Sequence, residues 1–186
     1  MNDSAKLVVL SGPSAVGKGT LAKFIIEKNS DYRLSISATT RPPRAGELDG
    51  ISYLFVSDDE FTRMAESNEL LEWATVHGAH RYGTPKLAVL KSLEAGENVL
   101  LEIDVQGAFQ VKRSFPNAVL VFVNPPSFEE LESRMDNRGT ETLEDKLRRL
   151  ETAKTELSQS HLFDFQVIND EVARCALEVV DLVKSK

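Results

Sequence analysis

Residues 8–20 constrain the fold most strongly, because an apolar run of strand type leads through a glycine-containing turn into a helical pattern. Gly12 and Gly17 are five residues apart and Lys18 follows, which is the spacing of a phosphate-binding loop. Backbone N–H groups of such a turn, together with the N-terminus of the next helix, face a polyphosphate. The segment therefore predicts a nucleotide-phosphate site, which comprises Gly12, Pro13, Ser14, Ala15, Val16, Gly17, Lys18, Gly19 and Thr20.

Two side chains are candidate magnesium ligands. Gly19 stands where the motif usually has the Ser or Thr that binds Mg²⁺, and Thr20 comes one residue later. The apolar run 98–103 is followed by Asp104, and open α/β sheets present magnesium ligands at the carboxyl ends of central strands. Glu102 shares a face with Asp104. We expect Thr20 to contact the metal or a phosphate, and Asp104 to act through metal-bound water or on neighbouring cations.

Charge and composition exclude several classes of protein. The chain of 186 residues has a formal net charge of −7, whereas a nucleic-acid binder needs a basic face. The single cysteine, Cys175, excludes an internal disulfide and suits a reducing compartment. Because no apolar run approaches membrane-spanning length, we expect a cytoplasmic protein without nucleic-acid or membrane partners.

Two arginine pairs oppose the overall negative charge. Pro42 and Pro43 favour an extended path, on which Arg41 and Arg44 point the same way about 9 Å apart. Arg134 and Arg138 are one helical turn apart. Each pair could belong to a solvated surface, but each could also bind phosphate, and two stiffened guanidinium groups favour a phosphate clamp.

The order of strands and helices predicts an α/β fold with a mostly parallel sheet and helices on both faces. Residues 37–83 and 127–155 interrupt the alternation, and each of these two segments carries one arginine pair. We therefore expect a phosphate-loop core formed by residues 1–36, 84–126 and 156–186, with the other two segments as inserted lobes.

Taken together, these motifs resemble the guanylate kinase family over nearly the whole chain. Any one motif is modest support, but their order along the chain is specific. The segments that carry the resemblance are residues 12–20, 37–44, 46–47, 53, 72–73, 82–84, 104–107 and 138–142. The family transfers the γ-phosphoryl group of ATP to GMP with Mg²⁺, and its acceptor range is expected to include dGMP. Its P-loop core carries a GMP-binding lobe, here 37–83, and a lid, here 127–155.

The resemblance also implies roles for individual residues. Arg41, Arg44, Tyr53 and Tyr82 would hold the phosphate of GMP, and Ser37, Glu72 and Thr84 would read guanine, with Asp104 close to the bound nucleotide. ATP would be held by Lys18 and the loop backbone, with Arg134, Arg138 and Arg149 closing from the lid and Asn169 near the adenine. Ala15 replaces a glycine usual in the family, and a Cβ there is expected to exclude a strongly positive φ.

Other interpretations remain open. A non-catalytic guanylate-kinase-like module that binds peptides would usually have a degraded phosphate loop, whereas Lys18 is present here. Another small-nucleotide kinase is a second alternative, and Asp104-x-x-Gly107 also fits a weak GTPase pattern without the matching Asn-Lys-x-Asp motif. His77 and His80 are three residues apart but suit a solvated surface better than a metal site. A homo-oligomer is neither predicted nor excluded.

Overall fold

A computed structural model describes residues 5–76, 80–136 and 143–186, with the side chains of residues 143–146 left aside. The main sheet has five parallel strands in the order β2-β7-β1-β8-β9. These strands are β1 (Leu7–Ser11), β2 (Tyr32–Leu34), β7 (Asn98–Glu102), β8 (Val119–Asn124) and β9 (Phe165–Ile168). The predicted α/β class with a parallel sheet is confirmed.

Helices cover both faces of this sheet because its strands are apolar on both sides. In β1, Val8 and Leu10 face one hydrophobic cluster, and Leu7 and Val9 face the other. The helices are α1 (Lys18–Lys28), α3 (Lys86–Glu94), α4 (Val105–Ser114), α5 (Phe128–Asp136), α6 (Leu143–Ser158) and α7 (Val172–Ser185), with a 3₁₀ turn at Ser160–Leu162. Among the described residues, none of the helices is long and apolar enough to span a membrane.

A second sheet of four strands, in the order β4-β3-β6-β5, has its own small core. Its strands are β3 (Ala38–Thr39), β4 (Leu54–Phe55), β5 (Leu70–Val76) and β6 (His80–Pro85), and α2 (Asp58–Glu66) packs beside them. Ala38, Phe61, Met64 and Leu70 form that core. The second sheet spans residues 38–85, so it overlaps the predicted inserted segment 37–83 and extends two residues beyond it.

The sequence pattern also predicts a short strand at residues 34–37, a turn at residues 82–85 and an N-cap at Thr84, and the structure corrects all three. The strand lies earlier, because β2 pairs with β7 from Tyr32 only as far as Leu34. Residues 82–85 belong to β6 rather than to a turn, since they pair with β3 and β5. Thr84 is consequently not the N-cap of α3; that position is Pro85.

Residues 57–60 and 127–130 have the Ser-x-x-Glu pattern that predicts a helix N-terminus, and both helix starts are confirmed. The Ser57 hydroxyl accepts a hydrogen bond from the N–H of Glu60, and the Ser127 hydroxyl accepts one from Glu130. Asp104 does the same for α4, since its Oδ1 accepts the N–H of Gly107 at 2.7 Å. This carboxylate is therefore fixed at the carboxyl edge of the main sheet.

Candidate active site

The phosphate loop connects β1 to α1 at the centre of the main sheet. Gly12 has a φ of +144°, and a Cβ on it would lie 2.4 Å from the carbonyl oxygen of Val123 in β8. Gly17 has a φ of +99° immediately before α1. Both positions therefore require glycine, one for close packing and both for their backbone conformation.

Ala15 adopts a left-handed conformation with a φ of +66°. The expectation that its Cβ excludes a strongly positive φ is therefore wrong. The left-handed region costs an L-residue about 1–2 kcal/mol, which the surrounding loop offsets. The loop path is thus kept without the usual glycine, at the cost of local strain.

The ammonium of Lys18 lies against the loop itself. Its Nζ donates to the carbonyl oxygen of Gly12 at 2.6 Å and to that of Pro13 at 3.2 Å. This arrangement places a positive charge inside the loop, where an anionic group bound by the backbone N–H groups would lie. Gly19 and Thr20 follow on the exposed first turn of α1.

The outer side of the loop is fixed through the carbonyl oxygen of Val16. It accepts a hydrogen bond from Asn169 Nδ2 at 2.8 Å and another from Arg134 Nη1 at 3.3 Å. Arg134 Nη2 also donates to the backbone oxygen of Asn169 at 3.2 Å. The structure therefore brings Arg134 and Asn169 together at the loop. That these two residues contact ATP remains a prediction.

Helix α6 reaches the loop from the other direction. Arg149 is buried, and its Nη2 donates to the hydroxyl of Ser14. Two turns later the half-buried Glu156 lies within electrostatic reach of Lys18 and Asp104. Burial raises the pKa of Glu156 to about 7, although Lys18 opposes that shift. Glu156 belongs to none of the sequence motifs, although its seven-residue separation from Arg149 places both side chains on one face of a helix. The predicted Arg138 lies outside the described residues.

Arg41 is the buried centre of a polar cluster beside the second sheet, in the loop after β3. One terminal nitrogen, Nη2, donates to both carboxylate oxygens of Glu47 at 2.9 Å, and Nε donates to the Tyr82 hydroxyl at 3.0 Å. The guanidinium carbon lies 5.4 Å from the centre of the Tyr53 ring. Bonding to Arg41 holds the pKa of Glu47 below its usual range.

The two arginines of the predicted clamp differ in their surroundings. Arg41 is 7% exposed, whereas Arg44 belongs to the exposed part of the loop. Glu47 links them, because its Oε2 accepts the backbone N–H of Arg44 at 2.8 Å. A phosphate bound there would meet one preorganised guanidinium and one long, solvated side chain.

Glu72 and Thr84 form a buried pair between β5 and β6. The Thr84 hydroxyl donates to Glu72 Oε1 at 2.7 Å, and both residues are almost inaccessible to solvent. Burial, with a smaller contribution from Asp104, raises the pKa of Glu72 to about 7. A Cβ on Gly107 would lie 2.6 Å from Glu72 Oε2, so this glycine leaves room for the carboxylate. Ser37 is half-buried beside β3, and its carbonyl accepts the N–H of Leu54.

The oxygen donors around the carboxyl ends of β1 and β7 fit a magnesium ion that is held mainly by water and phosphate. Thr20 is exposed, Asp104 uses Oδ1 to cap α4, and Glu102 Oε2 lies 3.2 Å from where a Gly19 Cβ would be. No cluster of three or more His, Cys, Asp or Glu suited to a metal occurs in the part of the chain that the structure describes. Mg²⁺ sites in phosphoryl-transfer proteins commonly use one or two side chains with substrate phosphates, so the sparse donor set is compatible.

Comparison with known proteins decides the family. The family model described as guanylate kinase matches residues 4–186. The chain belongs to the guanylate kinase family. The guanylate kinase of Leifsonia xyli is 55% identical over 95% of this chain and 70% of its own length. That of Caldanaerobacter subterraneus is 53% identical over 93% of this chain and 84% of its own.

Solved structures agree with the family assignment. The crystal structure of guanylate kinase from Anaplasma phagocytophilum matches with a TM-score of 0.80 at 30% identity, covering 98% of this chain and 86% of that chain. A gluconokinase from Sinorhizobium meliloti matches with a TM-score of 0.51 at 15% identity, a likeness of fold alone. The resemblance to guanylate kinases in the sequence motifs is thus confirmed.

Proposed function

We propose that this protein transfers the γ-phosphoryl group of ATP to GMP, giving ADP and GDP, and that it also accepts dGMP. Membership of the guanylate kinase family supports the reaction. The buried Glu72–Thr84 pair is the observation that carries the choice of acceptor. It lies in the same sheet as Tyr82, whose hydroxyl accepts a hydrogen bond from Arg41, so one region offers groups for both a base and a phosphate.

Guanine suits this pair because of its hydrogen-bond donors. Its N1–H and N2–H₂ groups are adjacent and can both donate to the Glu72 carboxylate. The hydroxyl of Thr84, which donates to Glu72 here, can turn to guanine O6 together with that of Ser37. Adenine lacks both donors and would leave Glu72 buried and unpaired, which costs about 1–3 kcal/mol or more.

The phosphate of GMP would be held by four side chains of the same lobe. Arg41 is already fixed by Glu47, so little side-chain entropy is lost when it binds a phosphate. Arg44 would add a second charge, while the hydroxyls of Tyr53 and Tyr82 would donate hydrogen bonds. The ring of Tyr53 lies edge-on to that of Tyr82, at 5.9 Å between centres, which supports both hydroxyl positions.

ATP would occupy the phosphate loop with its base near Asn169. Lys18 and the loop N–H groups would bind its phosphates, and Arg134, Arg138 and Arg149 would compensate charge from the lid. Mg²⁺ would be held by the phosphates together with Thr20 and, through water, Asp104. When bound, this ion neutralises negative charge on the phosphates.

Phosphoryl transfer requires that the two substrates be aligned and that their negative charges be compensated. The bond between the γ-phosphorus and its bridging oxygen breaks as an oxygen of the GMP phosphate bonds to that phosphorus, in line. No side chain needs to remove a proton, because the second pKa of a phosphate monoester is about 6 and the acceptor is mostly dianionic. Lys18 and the arginines of both lobes reduce the repulsion between two polyanions.

Closure of the two lobes would exclude water from this reaction. The proposed lobes are residues 37–83, which would bind GMP, and residues 127–155, which would form the lid over the core. We place the protein in the cytoplasm, with ATP and GMP as its partners rather than nucleic acid or a membrane. Its negative net charge supports that choice of partners.

A coupled assay of ADP release tests the proposal. The enzyme is supplied with ATP, Mg²⁺ and, in separate reactions, GMP, dGMP, AMP, CMP or UMP. We expect rapid release with GMP and dGMP alone. Release with AMP instead would contradict the guanine-reading role of Glu72. Binding of GMP without release of ADP from any reaction would favour the non-catalytic module.

A further inference from the structure

Glu72 lies in a β-bulge on the edge strand of the second sheet. Strand β5 comes last in the order β4-β3-β6-β5, and its register with β6 shifts by one residue between Leu70 and Trp73. Residues 71–72 of β5 therefore oppose Thr84 alone. A bulge interrupts the ladder of hydrogen bonds and changes the direction of the side chains that it carries. The direction of the Glu72 carboxylate consequently depends on what holds the bulge in place.

Two glycines make room for this bulge. A Cβ on Gly83, in the facing strand, would lie 3.0 Å from the carbonyl oxygen of Glu72 and 3.0 Å from Cβ of Trp73. A Cβ on Gly107, in α4, would lie 2.6 Å from Glu72 Oε2. The backbone and the carboxylate of Glu72 are thus closely packed against β6 and α4. Because such packing leaves little free space, a small shift of β5 would displace the carboxylate.

Gln110 of α4 holds the strand immediately after the bulge. Its Nε2 donates to the carbonyl oxygen of Trp73 at 2.8 Å, and its Oε1 accepts the N–H of Trp73 at 3.2 Å. The N–H and C=O of one residue in an antiparallel strand point to the same side, so these groups belong to the edge of β5 that faces away from β6. The amide of Gln110 therefore pairs with this edge as a neighbouring strand would.

We propose that Gln110 is a positioning residue for Glu72: it pairs with the edge of β5, fixes the bulge against α4 and so sets where the carboxylate meets the base of the acceptor. This inference rests on the proposed role of Glu72 in reading guanine. Gln110 and Gly107 are three residues apart, on one face of α4. The same helix face thus fixes the strand by hydrogen bonds and the carboxylate by close approach. Gln110 acts through β5 and takes no part in base binding itself.

A double-mutant cycle tests the inference. Steady-state kinetics with GMP and ATP are measured for the wild type, Gln110→Met, Glu72→Gln and the double variant. Met is similar in length and removes both hydrogen bonds. We expect Gln110→Met to lower kcat/KM for GMP about tenfold, mainly through a higher KM for GMP, while KM for ATP changes less than about twofold. In the Glu72→Gln background we expect a change in kcat/KM of less than about twofold, because the carboxylate that Gln110 positions is gone.

Two further variants and one direct measurement complete the design. Gln166→Met makes the same chemical change at an exposed position of β9, in the main sheet, and should leave the kinetics unchanged. Gln110→Asn keeps the amide but shortens its stem by one methylene, so we expect a loss similar to that of Gln110→Met. It carries the test if Gln110→Met does not fold, as judged by thermal unfolding. Hydrogen exchange of the Trp73 amide, followed by NMR, should be faster in both Gln110 variants.

The outcomes separate this inference from the proposed function. Unchanged kcat/KM for GMP in Gln110→Met would overturn the role of Gln110. An equal loss in both backgrounds, or a parallel rise in KM for ATP, would also overturn it, since Gln110 would then only stabilise the fold. If Glu72→Gln alone leaves kcat/KM for GMP unchanged, the proposed reading of guanine by Glu72 itself fails.

Discussion

The two halves of the proposed site are built in different ways. The phosphate loop is one continuous stretch between β1 and α1, held by backbone conformation at Gly12 and Gly17. The proposed GMP-binding half instead brings together side chains from β5, β6 and the loop after β3, and these side chains are already joined by hydrogen bonds. One half offers mainly backbone N–H groups, and the other offers paired side chains.

This difference explains what each half can recognise. Backbone N–H groups and one lysine bind phosphate whatever base is attached to it. In the proposed site the Glu72 carboxylate and Thr84 hydroxyl would distinguish guanine from adenine, because a mismatched base leaves buried polar groups unpaired. We therefore expect variants of the loop to change catalysis, and variants of the lobe to change the choice of acceptor.

Among these variants we expect Lys18→Ala to have the largest effect on catalysis. The effect should be limited to the phosphate-loop half of the site. We expect kcat to fall about 10³-fold, because a charge aimed at the transferring phosphoryl group is lost. The affinity for GMP, measured by calorimetry, should change less than about twofold. Lys23→Ala, an exposed lysine on α1, is the control. Loss of GMP binding in Lys18→Ala would show that the halves are not separable.

Glu72→Gln should instead impair use of GMP as the acceptor and leave ATP binding almost unchanged. We expect kcat/KM for GMP to fall about 100-fold, while that for AMP stays the same or rises and ATP affinity changes less than about twofold. Steady-state kinetics with each acceptor measures this. Glu69→Gln serves as a control because Glu69 is exposed and pairs with Arg63. Preserved preference for GMP over AMP would remove Glu72 from base recognition.

The pH dependence of GMP binding tests the proposed base-binding role of Glu72 separately from the phosphate loop. Since the pKa of Glu72 is raised to about 7, the carboxyl is mostly protonated at pH 6 and mostly ionised at pH 8. Guanine needs the ionised form, so affinity rises with pH. We expect the ratio of wild-type to Glu72→Gln affinity to increase about tenfold over this interval, measured without ATP. Ionisation of the GMP phosphate affects both proteins equally, so it cancels in the ratio. A ratio that does not change with pH would contradict a raised pKa of Glu72.

Ala15→Gly should have the smallest effect of these variants, and that effect is on the free energy of unfolding. Relief of the left-handed strain gains about 1–2 kcal/mol, and the greater freedom of glycine in the unfolded chain costs about 0.5–1 kcal/mol. We expect the free energy of unfolding to rise by about 0.5 kcal/mol in urea denaturation. Ala22→Gly, in the buried face of α1, should lower it. A destabilised Ala15→Gly would mean that the loop is not strained at this position.

The sequence predicted the features that depend on neighbouring residues. The phosphate loop, the parallel sheet and the capped starts of α2 and α5 all follow from short-range spacing and apolar patterning. Their physical cause is local, since the backbone conformation of a loop or a helix end is set within a few residues. The order of motifs along the chain also identified the family.

Only the tertiary structure decided how distant side chains pair. Thr84 has the residue type of a helix cap, yet pairing of β5 with β6 turns its hydroxyl to Glu72. The chain packed around Ala15 imposes a backbone angle that its own Cβ disfavours. Arg149 reaches Ser14 because α6 packs against the loop, 135 residues further along the chain. The sequence by itself determined the family and the phosphate loop, whereas long-range packing decided which side chains share a site, because burial and hydrogen bonding act between residues wherever they lie in the chain.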